Sequence, residues 1–262
     1  MAEQVCPHCN GTGWKIVERE GVSGAERCEC TREMRSEKLL ELAGIPARYE
    51  KATFTSFECP KDNDMAAREL FAIRQNVLDF AHKFPVLDKP GLLLIGDNGT
   101  GKTHLAVAAL RRIIEKGFAG VFFDYQNLID RIRSGFDPTS GSSDREAYRI
   151  AIDAEVLLID DLGSHRVLEW IEDVVTSIIT QRYNHRRPLI ATTNLPDPDA
   201  GYGIKKKQRQ SVGDQRLDSP PEYRRTLADQ IGMRARSRLF EMCNVVKMPL
   251  VQDYRLRKTT AQ

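Results

Sequence analysis

No stretch of the 262 residues contains the roughly 18 consecutive apolar residues that a membrane span needs. The opening residues, MAEQVCPHCN, lack the basic-then-apolar order of a secretory signal. Membrane insertion and export are therefore not expected, and a cytoplasmic location is. Net charge is nearly absent too, since 39 Lys and Arg against 37 Asp and Glu leave +2. Such a total neither requires nor excludes nucleic acid, so what matters is whether basic residues cluster. Cysteine is sparse, with six in all, and in a reducing compartment these are thiols or metal ligands rather than disulfides. No internal repeat is visible, which argues against a solenoid or propeller.

What is present is enough for a globular fold: 41% hydrophobic and 29% charged residues lie outside the range of disordered chains. The length exceeds the usual ~100–200 residues of one domain, so a full domain plus a small accessory module is expected. Residues 1–30 combine Gly, Cys and charge with almost no apolar periodicity and cannot form a core without a metal staple. TREMRSEKLLELAG predicts a helix with Thr31 as N-cap and Gly44 and Pro46 as its stop, followed by an irregular connector, IPARYEKATFTSF, to residue 61. From Asp62 to Phe84, Leu70, Phe71, Val77, Leu78 and Ala81 recur at helical spacing. Beyond Pro90, the runs GLLLIG, GVFFDY, VLLID and PLIATT alternate with helical patterns starting near Lys102, Gln126, Ser143 and Val167. That is the pattern of a parallel sheet covered on both faces, an α/β core over residues 62–255. One helix and one strand are expected from Thr226 to Met248. FDPTSGSS, at 136–143, and the Pro-, Gly- and charge-rich stretch 197–224 fit no element, and the second reads as a mobile surface insertion. Residues 256–262 form a tail.

Gly96-Asp97-Asn98-Gly99-Thr100-Gly101-Lys102-Thr103 matches G-x-x-x-x-G-K-[ST] between an apolar strand and a helix. Glycines let backbone N–H groups curl around phosphate oxygens, and the helix that follows presents its positive end to them. Lys102 is expected to reach the β and γ phosphates of ATP, and the Thr103 hydroxyl to complete a Mg²⁺ shell. The strand Val156–Ile159 ends in Asp160-Asp161. Asp160 would hold Mg²⁺, usually through its water, and Asp161 would polarise the attacking water, unless the pair merely caps the next turn. Asn194 follows the next strand, where a polar side chain orients water or senses the γ phosphate; Asn-Leu-Pro is also ordinary turn chemistry.

Cys6-Pro7-His8-Cys9 and Cys28-Glu29-Cys30 offer four thiolates at close to the spacing of a zinc site. The second pair has one intervening residue instead of two, a tighter chelate, so His8 is an alternative ligand to a cysteine. Gly11, Gly13 and Trp14 suit the turns of a small zinc ribbon; reduced, unligated thiols are the other reading. Cys59 and Cys243 stand alone. Six basic residues in residues 1–38 are matched by seven glutamates, so this segment suits protein contact better than DNA. Basic residues cluster instead at Lys205, Lys206, Lys207, Arg209 and Arg216, either a phosphate-backbone contact or a solvated loop.

Several segments in order, IPARYEKATFTSF, GDNGTGKTHLAVA, LLIDDLG, QRY with RPLIATTNL, and MRARSRLFEMCNVV ending in DYR, resemble the DnaC-type helicase loaders. These are AAA+ relatives of the initiator DnaA and the IstB transposition helpers, and the resemblance covers about Leu39 to Arg255. It implies an AAA+ P-loop core, ATP hydrolysis with Mg²⁺, a homo-oligomeric ring or spiral, single-stranded DNA and a replicative helicase as partners, and an N-terminal module that grips the helicase. It also implies that Arg238, in Ser-Arg-Leu, is a finger acting on a neighbour's nucleotide, with Arg234 one turn earlier as the alternate and a solvated basic helix as the plain reading. Arg255 resembles a second phosphate-sensing arginine, although the glycine usual before that segment is missing. An IstB-like helper marking target DNA would share the same core, but such proteins usually begin with a plain helical domain. A small-molecule phosphotransferase is disfavoured because no acceptor pocket or lid is evident.

Overall fold

The computed structural model describes residues 6–7, 9–10, 12, 14–19, 22–60, 63–135, 143–165, 168–197 and 225–257. The expected apolar runs form strands β3 (Gly91–Ile95), β4 (Gly120–Asp124), β5 (Val156–Asp160) and β6 (Leu189–Thr193), and β7 (Cys243–Lys247) joins them. Their order in one parallel sheet is β4-β5-β6-β3-β7. Every residue of β3, β5 and β6 is buried, which is why these strands read as unbroken apolar runs rather than as alternation. The pleat nevertheless sorts them. Leu92 and Leu94 pack on one face with helices α2 (Asp64–Lys83) and α3 (Lys102–Glu115). Leu93 and Ile95 pack on the other with α4 (Tyr125–Ser134), α5 (Ser143–Asp153) and α6 (Glu169–Asn184).

Local signals explain the helix starts. Asn63 accepts the Ala66 N–H at 3.0 Å to cap α2, and Asp124 accepts the Asn127 N–H at 3.0 Å to cap α4. The closing region departs from the single helix expected. It contains α7 (Leu227–Ile231), opened by a capping box between Thr226 and Asp229, and then α8 (Met233–Met242). Gly232 separates them at φ +80°, and a Cβ there would lie 2.3 Å from Glu172 Oε1, so the break is tied to packing on α6.

The N-terminal segment holds an antiparallel hairpin, β1 (Trp14–Arg19) with β2 (Val22–Arg27), which its composition did not reveal. Helix α1 (Glu29–Leu42) starts before the expected Thr31, with Cys28 as N-cap and Cys30 inside its first turn. No side-chain hydrogen bond caps that start. Helix α1 lies against α3, and beyond it the Ala43 carbonyl accepts the Phe122 N–H of β4 at 2.7 Å. Among the described residues no helix is long and apolar enough to cross a membrane. Residues 136–142 and 198–224, with Lys205, Lys206, Lys207, Arg209 and Arg216, lie outside the described residues, as does His8.

Arg182 on α6 is fully buried. Its guanidinium donates to the carbonyls of Ala151, Ile152 and Ala154 at 3.0, 3.2 and 2.9 Å, and also to Pro188, tying the end of α5 to the start of β6. Burial pulls its pKa down to about 9. Arg182→Met fills similar space but removes the guanidinium donor from the Ala151 and Ala154 carbonyls, whereas the Ile152 carbonyl keeps Arg187 at 2.6 Å and the Pro188 carbonyl keeps the Leu157 N–H at 3.2 Å. At roughly 1–3 kcal/mol for each carbonyl so exposed, a loss of at least ~2 kcal/mol is expected. Denaturant titration checks this, and an unchanged midpoint would contradict it.

Candidate nucleotide-binding site

Strand β3 runs straight into the loop Gly96–Thr103, and α3 leaves it. Gly99 and Gly101 adopt φ of +71° and +93°, the left-handed region that glycine enters without strain. At Gly101 a Cβ would also stand 2.5 Å from the Phe57 ring. Lys102 is buried, its Nζ donating to the Asp97 carbonyl at 2.8 Å, and Thr100 Oγ1 donates to the same oxygen at 2.9 Å. Burial lowers the Lys102 pKa, opposed by Asp161, Asp160 and Asp97. The loop thus provides curled backbone N–H groups and one cation facing three carboxylates.

A parallel sheet gathers its strand ends on one edge, and β6, inserted between β3 and β5, places Asn194 beside the loop. Asn194 Nδ2 donates to Asn98 Oδ1 at 3.2 Å. Asp160 is buried at the end of β5, and burial raises its pKa while hydrogen bonds from Thr192 and Thr103 oppose the rise. Thr103 and Asp160 therefore meet, as an oxygen-ligand pair for a hard divalent cation requires. Asp161 is half-buried at φ +54°, turned away from the strand path that holds Asp160.

The residue sequence reasoning missed here is Thr192. Its buried hydroxyl donates to Asp160 Oδ1 at 2.6 Å and accepts the Asp161 N–H at 2.9 Å, fixing both acids from the neighbouring strand. The signal was available, because Thr192-Thr193 interrupts an apolar strand of full burial.

Phosphate loop and acids line a cleft of about 910 Å³. It is also lined by Pro46, Tyr49, Ala52 and Phe57 of the connector, with Leu70 and Val251, an apolar surface suited to a flat base. The connector was expected only to link elements. Arg255 lines the cleft as well, in α9 (Tyr254–Arg257). Tyr254 seats that segment, its N–H on the Gly99 carbonyl at 3.2 Å and its hydroxyl on Glu58 at 2.8 Å.

Arg238 is not among the described residues lining the cleft; it sits on α8, where its Nη1 donates to the Arg234 carbonyl at 3.2 Å. Arg236, on the same helix, forms a bidentate pair with fully buried Asp197 at 2.8 and 2.6 Å and stacks 4.3 Å from the Phe240 ring centroid.

The cysteine cluster assembles separately. Sγ atoms of Cys6, Cys9, Cys28 and Cys30 lie within 4.8 Å of one another, with Cys6–Cys28 at 3.8 Å and Cys9–Cys30 at 3.4 Å. Four sulfurs tetrahedrally around a metal at Zn–S ≈ 2.3 Å would be about 3.8 Å apart, so the set fits a metal with only small adjustment. Hydrogen bonding to Cys9, then to Cys28, pushes the Cys30 thiol up to about 12, the behaviour of crowded thiols that a bound cation reverses.

The profile of the family described as IstB-like ATP binding protein matches residues 22–201. The chain belongs to this family. It is an IstB/DnaC-type AAA+ P-loop ATPase. The Replicative helicase loader DnaC of Escherichia coli (strain K12) is 21% identical over 208 residues, covering 77% of this chain and 82% of DnaC. YqaM of Bacillus subtilis (strain 168) is 27% identical over 198 residues, 73% of this chain, and the match spans 59% of YqaM's length. Among solved structures, the crystal structure of a DnaC helicase loader aligns at TM-score 0.57 and 27% identity, covering 78% of this chain and 100% of that one.

Proposed function

We propose that this protein is an ATP-dependent helicase loader in DNA replication. It binds and hydrolyses ATP with Mg²⁺ in an oligomer and delivers the replicative helicase to single-stranded DNA. In this reading Lys102 holds the β and γ phosphates on the loop of Gly96, Asp97, Asn98, Gly99, Thr100 and Gly101. Thr103 and Asp160 hold Mg²⁺, Asp161 polarises water, and Asn194 senses the γ phosphate. Arg238 faces a neighbouring subunit, in keeping with its place away from its own cleft. The observation that carries the loader reading is likeness to DnaC along 82% of that loader's length, in a chain whose ATPase core is preceded by a four-cysteine cluster. That cluster binds zinc and, with α1, forms the helicase grip. A cytoplasmic location goes with this role.

The family profile also favours a second reading, an IstB-like transposition helper that marks target DNA. The two separate in a loading assay. With limiting replicative helicase on a circular single strand carrying an annealed oligonucleotide, the protein and ATP should raise displacement of the oligonucleotide severalfold. No stimulation would count against the loader.

The metal is testable alone. One zinc per chain is expected, and Cys28→Ser should lose it while ATP binding persists and helicase binding falls. A folded, zinc-free preparation would remove the metal from the account.

A further inference from the structure

Helix α3 carries the phosphate loop at its N-terminus and, along one side, holds the connector that also lines the cleft. His104, one residue after Thr103, places Nε2 2.8 Å from the Thr53 carbonyl and 3.3 Å from Ser56 Oγ. Its ring also meets Phe57 edge-on, with centroids 5.5 Å apart. Two turns further along the same face, Arg111 donates to the Glu50 carbonyl. Phe57 fills the space that Gly101 leaves by having no Cβ. The connector is thus pinned to the same rigid helix that begins the phosphate site.

We propose that His104 is a positioning residue for nucleotide binding: it fixes residues 53–57 so that Tyr49, Ala52 and Phe57 stand at a set distance from the phosphate loop. Its side-chain hydrogen bonds go to the connector, at Thr53 and Ser56. Its contribution therefore belongs to the base and ribose part of the ligand and leaves the triphosphate part unchanged. The chemistry fits this. The interaction needs an N–H at the reach of Nε2, which donates to the Thr53 carbonyl. Without the pin, the connector must be ordered by the nucleotide on binding, and that ordering cost is subtracted from affinity. This role rests on reading the cleft as the ATP site.

The test compares ATP with inorganic tripolyphosphate, both with Mg²⁺, by calorimetric titration of the intact protein. The wild type should bind ATP at least tenfold more tightly. His104→Ala, on a helix that tolerates alanine, should lose about tenfold in ATP affinity with tripolyphosphate affinity unchanged. Its KM should rise and its kcat at saturating ATP should stay within about twofold. His104→Gln, which keeps an N–H at similar reach, should recover most of the ATP affinity. An unchanged ATP affinity in His104→Ala, an equal loss of tripolyphosphate, or no recovery in His104→Gln would overturn the proposal. So would a wild type that does not prefer ATP. Lys102→Ala in parallel separates the two readings: it should lose both ligands, and if it loses neither, the phosphate site itself has been misplaced.

Discussion

Asp161→Asn should leave ATP bound at close to wild-type affinity while hydrolysis falls by about 10²–10⁴-fold, the usual worth of a positioned general base. The substitution keeps size and polarity at a half-buried residue and leaves the Asp161 backbone N–H on Thr192 in place. Lys102→Ala is the complement. It removes the buried cation of the loop, and at roughly 1.5–3 kcal/mol for charge-assisted hydrogen bonds the ATP affinity should drop by about tenfold to a hundredfold. Nucleotide titration together with single-turnover hydrolysis separates the two effects. Wild-type affinity in Lys102→Ala, or wild-type turnover in Asp161→Asn, would contradict the roles assigned.

Arg238→Ala should bind ATP normally as an isolated chain and lose hydrolysis only in the assembled state, by on the order of 10³-fold, as trans-acting fingers do in other P-loop enzymes. Its guanidinium is held on α8 by the Arg234 carbonyl, not by the cleft of its own chain. Mixing decides the matter. Asp161→Asn subunits can donate a finger and not hydrolyse, while Arg238→Ala subunits can hydrolyse and not donate. A mixture should regain part of the activity that each lacks alone. A mixture that stays inactive although the two co-assemble would mean that Arg238 acts within its own subunit or only steadies α8.

The sheet was legible because β3, β5 and β6 are buried on both faces and leave unbroken apolar runs, and the phosphate loop because its backbone geometry demands glycine at fixed places. Asn194 could be placed near the loop from strand-end logic alone, and the Asn98 contact lies where that logic puts it. What escaped depends on contacts distant in sequence. Thr192 matters through hydrogen bonds to a strand 31 and 32 residues away, and the connector through His104, 51 residues from Thr53. Neither leaves a periodic trace. The break at Gly232 is different: the glycine was visible, but its positive φ follows from the approach of Glu172, which only the packed structure supplies. Likewise, Arg236 shows nothing in sequence that separates it from Arg234 and Arg238. Its pairing with Asp197 makes it an anchor between α8 and the end of the β6 loop.

The central claim, that this ATPase serves a replicative helicase, is tested most directly by purifying the tagged protein from its own cells in the presence of ATP and identifying what is bound in stoichiometric amount. The account predicts a hexameric replicative helicase, retained by Asp161→Asn and lost with Cys28→Ser. Recovery of a transposase in its place would contradict the loader and transfer the same ATPase site to the transposition reading.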